Sequence, residues 1–200
     1  MRRFHREIPT GLIVLAVLMM TAGLAGVAQS EPQDTSSIEE RLTSFNERLR
    51  FSLSITSFAI YAPSLGDLRL HAQRVVNLIE GSSGAHYVRQ EQPEEIRGMR
   101  QDVVDMVDWF SEANLEADTR ARIAAATRNV AVYLEMALDS ALSALRQRRL
   151  DEAITEMMRA YAFLAAAHER PSNAAQVPGL WTILRQFGLA EIGTETETDS

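Results

Sequence analysis

Between Ile123 and Leu145 one stripe returns every third or fourth position: Ile123, Thr127, Val130, Leu134, Leu138, Ala141 and Leu145. An α-helix turns once per 3.6 residues, so this spacing lines a single face, whereas a half-buried strand would need strict alternation. The same period recurs in four other segments. It restricts the chain to an all-α fold, because each stripe leaves water only by meeting another. Short connections place consecutive helices antiparallel. The expectation is an up-down antiparallel bundle of four to five helices over residues 37–170, plus a short C-terminal amphipathic helix at 179–190.

The first stripe is Ile38, Leu42, Phe45, Leu49, Leu53, Thr56 and Ile60, opened by a Ser36–Glu39 capping box and closed before Ala62-Pro63. Within it "FSLSIT" (51–56) alternates as a strand would, but its continuous neighbours favour helix. Ser64, with Asp67 three residues on, caps a second helix that Gly81 ends. Its buried face is Leu65, Leu68, Ala72, Val75, Val76 and Ile79, which leaves His71 at the boundary and points Asn77 away. Pro93 is placed as a first residue of the third helix. There Ile96, Met99, Val103, Met106 and Phe110 oppose Glu95, Asp102, Asp105 and Glu112, read as a solvated acidic face. The fourth helix runs from about Leu115 to Arg148. Asp151 caps a fifth, with Ile154, Met157, Tyr161, Leu164 and His168 inward and Pro171 as its stop. At such lengths the fourth helix reaches roughly 50 Å and the second about 25 Å. Either the long helix breaks, or its end overhangs, with the loop 82–92 covering the space left.

The N-terminus reads as an address. Arg2, Arg3 and Arg6 precede an apolar run, Gly11–Met20, and then small residues, "TAGLAGVA". That order matches a secretory signal peptide over residues 1–28, or to 30. The alternative is an uncleaved inner-membrane anchor at 11–28. Both place the remainder outside the cytoplasm, periplasmic or extracellular, with linkers at 29–36 and 171–178 and a disordered acidic tail at 191–200.

Taking three arginines and one glutamate of the leader from 20 basic and 27 acidic side chains leaves 17 and 26, a net charge of −9. That field disfavours nucleic acid and anionic lipid. Cysteine is absent and every basic side chain is Arg. A lipobox, a thiol nucleophile, c-type haem attachment and a zinc ribbon are therefore excluded, as are a Schiff-base lysine and a Walker A loop. Neither His-Glu-x-x-His nor Glu-x-x-His occurs, and "GSSG" at 81–84 follows a helix, unlike a hydrolase elbow.

Two histidines are candidate ligands. Asp67, one turn before His71, can accept a ring N–H and orient the imidazole. Counting helices alternately up and down puts His71 and His168 at the same end of the bundle, where they form a candidate metal or haem site with Met99, Met106 and Met157 as potential soft ligands. Against this stands a boundary His beside its acid, and a His in a last helical turn that interacts with the dipole. His86 is not expected to share a site with His71. Trp181, Leu184 and Phe187 on the terminal helix are candidate partner-binding residues, or else that helix is a lid packed on the core. The functional expectation is an exported non-enzymatic bundle, without cofactor, acting as a binding or scaffold module on another envelope protein. No nucleic acid is expected, and membrane contact only through an uncleaved leader. The alternative is a periplasmic metal- or haem-binding bundle using His71 and His168.

The segment His71-Ala72-x-x-Val75-x-Asn77-x-x-Glu80-Gly81 resembles one in exported bacterial helical proteins of no assigned activity, and the resemblance implies no function. Ala141, Leu145, Leu150–Ile154 and Ala160 are similar to a single tetratricopeptide hairpin at 141–160. A solenoid needs about three such repeats, so a simple helical hairpin is the expected form.

Overall fold

The computed structural model describes residues 35–89, 96–168 and 178–189. They form α1 (Thr35–Ile60), α2 (Leu65–Glu80), α3 (Met99–Glu112), α4 (Ala117–Arg146), α5 (Leu150–His168) and α6 (Leu180–Gln186). The chain is all-α. Its one extended pairing among the described residues is an isolated antiparallel bridge between Gly81 and Arg97. The expected signal peptide and the tail 191–200 lie outside the described residues, as do Pro93, Pro171 and most of both linkers. No described helix is long and apolar enough to cross a membrane.

Local chemistry sets the helix ends. Ser64 Oγ accepts the Asp67 N–H at 3.1 Å and donates to Asp67 Oδ2 at 2.6 Å, satisfying one orphan donor of α2. Asp151 does not cap α5 as expected: it lies inside the first turn, where Arg149 pairs with it at 2.8 Å.

Two helices, α1 and α4, run the length of the bundle, and one of the other sides is built from α2 and α3 laid end to end. Arg69 Nη2 donates to the Gln147 carbonyl at 2.6 Å, so the start of α2 is level with the end of α4. At the other end of α2, Arg100 sits 3.9 Å from Glu80 and 2.6 Å from Glu135. Thus α3 begins where α2 stops and continues down α4. Contacts along α1 descend in the same order: Phe58 faces His71 with ring centroids 6.1 Å apart, Arg48 meets Asp102 at 2.6 Å, and Arg41 lies 4.7 Å above the Trp109 ring.

This layout corrects the expected alternation, because α2 and α3 run in the same direction. Length explains why: the 16 residues of α2 and 14 of α3 together match the 30 of α4. A long pair of apolar stripes needs both short helices to cover it, and α3, not the loop 82–92, fills the space below α2. The fourth side follows the same logic. α5 packs along α4 and α1, and beyond its end α6 continues on α4, where Asn129 Nδ2 donates to the Pro178 carbonyl at 2.9 Å.

The stripe of α4 is buried as expected from Ile123 to Ala141, with Leu145 half-buried, and Met99, Val103, Met106 and Phe110 of α3 are buried too. On α5 the buried residues are Ala153, Met157, Ala160, Leu164 and Ala167, while Tyr161 is 40 % exposed. Of the expected face, Met157 and Leu164 are buried and Ile154 and His168 half-buried, so Tyr161 alone turns to water. α5 packs along α4, and the buried alanines on both helices allow a close approach that gains dispersion which larger side chains would forfeit. On α1, Thr56 is buried as its stripe requires, and Ser52 is buried beside it while Leu53 is only half-buried; the Ser52 and Thr56 hydroxyls donate to the Arg48 and Ser52 carbonyls at 2.9 and 2.7 Å.

α6 is a lid. Leu180, Ile183 and Leu184 are buried, and Phe187 stacks on Phe110 with centroids 5.6 Å apart. Leu184→Ala should therefore cost about 2–4 kcal/mol in urea unfolding, and removing residues 172–200 should lower the melting temperature.

Candidate functional site

The densest polar chemistry lies where α2 gives way to α3. The chain leaves α2 at Gly81 and returns to the same point at Gly98. Ser82 N–H donates to the Ile96 carbonyl at 2.8 Å, and Ile96 N–H donates to Ser82 Oγ at 2.7 Å. The crossing is so close that a Cβ on Gly98 would sit 2.2 Å from the Glu80 carbonyl oxygen. Gly81 adopts φ 75°, a conformation that costs glycine least.

Three residues of α2 hold the departing loop. Glu80, whose side chain is 2 % exposed, accepts the His86 backbone N–H at 2.7 Å through Oε2, and its Oε1 lies 2.8 Å from His86 Nδ1. Asn77 pairs with the Val88 backbone as a strand neighbour would, accepting its N–H at 3.1 Å and donating to its carbonyl at 2.8 Å. Gln73 Nε2 donates to the His86 carbonyl at 2.8 Å. Asn77 thus points away from the bundle axis as its wheel position requires, yet it is buried, because the loop folds back over it. A helical wheel has no knowledge of that cover.

The other half of the junction ties α3 to α1. Asp102 is buried, with Arg48 at 2.6 Å and Arg97 at 2.8 Å, and Arg97 also pairs with Asp105. Arg48 Nη1 donates to the Arg97 carbonyl at 2.7 Å. Asp102 therefore does not belong to a solvated acidic face. Its partners come from α1 and from the turn before α3, two places that periodicity along α3 cannot see. The hydrogen bond to Asp102 holds Arg97 firmly protonated, raising it above its ordinary range. Beside the junction a shallow pocket of about 140 Å³ is lined by Arg100, Val103, Val104, Ala131, Leu134 and Glu135. Together these groups can fix a loop and a helix start. Among the described residues no group of three or more His, Asp or Glu is arranged to hold a metal ion.

The two candidate ligands do not meet. Arg69, two residues before His71, is level with Gln147, whereas Ala167, one before His168, abuts Gly179 beside the Pro178–Asn129 hydrogen bond. Asn129 and Gln147 lie about 27 Å apart along α4, which puts the two imidazoles on the order of 20 Å from each other. The shared His71/His168 site fails because α3 does not reverse the chain, so the end of α5 falls at the opposite end from the start of α2. Asp67 is no orienting partner either: its carboxylate is engaged by Ser64, and His71 Nδ1 has no hydrogen-bond partner among the described residues. Of the candidate partner-binding residues, Leu184 is buried and Phe187 is stacked within the fold, while Trp181 is half-buried with Arg185 5.4 Å from its ring. Leu184 and Phe187 face the core, because α6 must close the end that α5 leaves open.

Both imidazoles are held below the ordinary His value. Burial is the main cause in each case, reinforced by Arg74 at His71 and by Arg50 at His168, with Asp67 partly opposing at His71. A folded-state pKa below the unfolded one means that unfolding takes up protons. The contribution is favourable above the unfolded value of about 6.5 and is lost as pH falls through it towards the folded value. Urea midpoints should therefore fall between about pH 7 and pH 5, and His168→Gln should flatten part of that fall.

No protein-family model matches the chain, and no curated protein or solved structure shows significant similarity to it.

Proposed function

We propose that this chain is an exported, non-enzymatic helical bundle that acts as a binding or scaffold module in the cell envelope, with another envelope protein as its partner. The observation that carries this reading is the division of labour between the junction and the outer surface. The groups with most chemical capacity, Glu80, Asn77 and Asp102, are engaged by donors from the loop and the neighbouring helices, so they set geometry. The outer faces of α3 and α4 instead keep Val104, Val107 and Val132 more than half exposed, with Val104 beside the Arg100–Glu135 ion pair. Apolar side chains bordered by charge have the composition of a contact surface with a polar rim. The export half of the reading rests on the leader's order of basic, apolar and small residues.

The test is a tagged chain expressed in its native envelope and cross-linked before purification. Val104→Asp with Val107→Asp should abolish a co-purifying envelope protein while leaving the melting temperature unchanged, since both positions face water. Retention of that protein by the double variant, or recovery of the wild-type chain from the cytoplasm, would contradict the proposal.

A further inference from the structure

The outer face of α1 is unlike the rest of the surface. From Phe51 to Gly66 the chain carries no charged residue. Within this stretch Ile55 and Ala59 turn inward, while Phe51, Phe58 and Tyr61 are 57, 62 and 86 % exposed and Ser54 is exposed between them. The positions 51, 54, 58 and 61 are spaced three, four and three apart, which is the seam of a helix that packs against another helix. A water-facing stripe ordinarily carries charge, whereas enrichment in aromatics with depletion of charge marks the centre of a protein interface.

We propose that this seam pairs two copies of the chain, antiparallel, about a two-fold axis passing close to Ser54 and Ile55. The pattern is self-complementary. Phe51 precedes Ser54 by three residues and Phe58 follows Ile55 by three, so a second copy running in reverse sets each Phe51 against the partner's Phe58. The small Ser54 side chains fall at the crossing, where the helices come closest. A two-fold contact demands this reciprocity, in which one position meets another and the second meets the first.

Area points the same way. At their exposures the three rings leave roughly 400 Å² of aromatic surface per copy in water. That is about half of the ~800 Å² that each side of a stable complex buries, before the flanking serines are included. The stretch from Phe51 to Phe58 carries no charge to desolvate, and the same register sets Tyr61 beside the second copy's exposed Glu47, so charge is met only at the rim. An anionic bilayer would call for basic residues that the seam lacks. The pairing leaves the outer face of α4 free, because α1 packs against α2, α3 and α5 and lies across the bundle from α4.

The absence of cysteine supplies the experiment. Ser54→Cys gives the chain a single thiol at the crossing, and Ser111→Cys gives one on the exposed face of α3. Oxidation should cross-link Ser54→Cys into a dimer that reductant reverses and should leave Ser111→Cys monomeric. Sedimentation of the wild-type chain should give twice the 22.3 kDa chain mass, less any leader removed. The Phe51→Glu/Phe58→Glu double variant should sediment as a monomer with unchanged helical circular dichroism. A wild-type monomer at all micromolar concentrations, a dimer that survives the double variant, or cross-linking of Ser54→Cys no faster than Ser111→Cys would each overturn the proposal.

Discussion

Gly98→Ala is expected to abolish cooperative unfolding or to cost more than about 4 kcal/mol, the largest effect of any single methyl group in this chain. The added Cβ would lie 2.2 Å from the Glu80 carbonyl oxygen, 2.3 Å from its carbon and 2.7 Å from Gly81 N. These are backbone atoms at the last turn of α2, and no side-chain rotamer can move them aside. Relief requires parting Gly81 from Gly98, which breaks the Ser82–Ile96 pair and draws α3 away from its place beneath α2. Gly81→Ala should be comparably severe, since it adds the penalty of φ 75° to a Cβ 2.3 Å from Gly98 N. Two controls separate this claim from a general intolerance of alanine. Gly188→Ala, at φ 71° but with nothing within 4 Å, should cost only about 1 kcal/mol. Gly66→Ala, whose Cβ meets Ser64 Oγ at an ordinary 3.6 Å, should be neutral or mildly stabilising. Urea denaturation followed by circular dichroism ranks all four.

Asp102→Ala should follow, at about 3 kcal/mol. The Asp102 and Arg48 side chains are 8 % and 22 % exposed, so removing the carboxylate strands a largely desolvated guanidinium against the start of α3. Arg97, at 52 % exposure, can turn to water and accounts for less. Breaking one partner of a buried pair costs more than replacing both, because the loss is chiefly the desolvation of the charge left behind. The Arg48→Met/Asp102→Leu double variant should accordingly recover a large part of the stability lost by Asp102→Ala. A double-mutant cycle on urea midpoints measures the recovery, and additive losses would contradict the pairing.

Much of the fold was legible in the sequence because periodicity reports one-dimensional facts. The stripes from Ile123 to Ala141 and from Met99 to Phe110, the cap at Ser64 and the stop at Gly81 are each fixed within about one turn of chain. Direction was not legible. Whether α3 doubles back on α2 or continues it depends on Gly81 meeting Gly98 across sixteen intervening residues, and neither glycine signals its partner. That single unknown moved His168 to the opposite end from His71. The burial of Asn77 and of Asp102 was hidden for a related reason: it comes from a loop and from neighbouring helices, not from their own helix face. The physical content of the segment ending Asn77-x-x-Glu80-Gly81 is a clamp on the loop that follows. On α5, Ala153, Ala160 and Ala167 join Met157 and Leu164 in the interior while Tyr161 turns to water, because helix separation, which sequence spacing does not encode, decided the packing.

The course of α2 and α3 as one interrupted side of the bundle is tested most directly by a distance. Spin labels at Leu70→Cys and Ser111→Cys, both exposed, probe the two helices in a chain with no other thiol. With labelled protein diluted in unlabelled chain, pulsed dipolar spectroscopy should give a separation of about 35 Å, the rise of the helical residues between them. A separation of about 10–15 Å would mean that α3 folds back alongside α2, and the arrangement described above would be wrong.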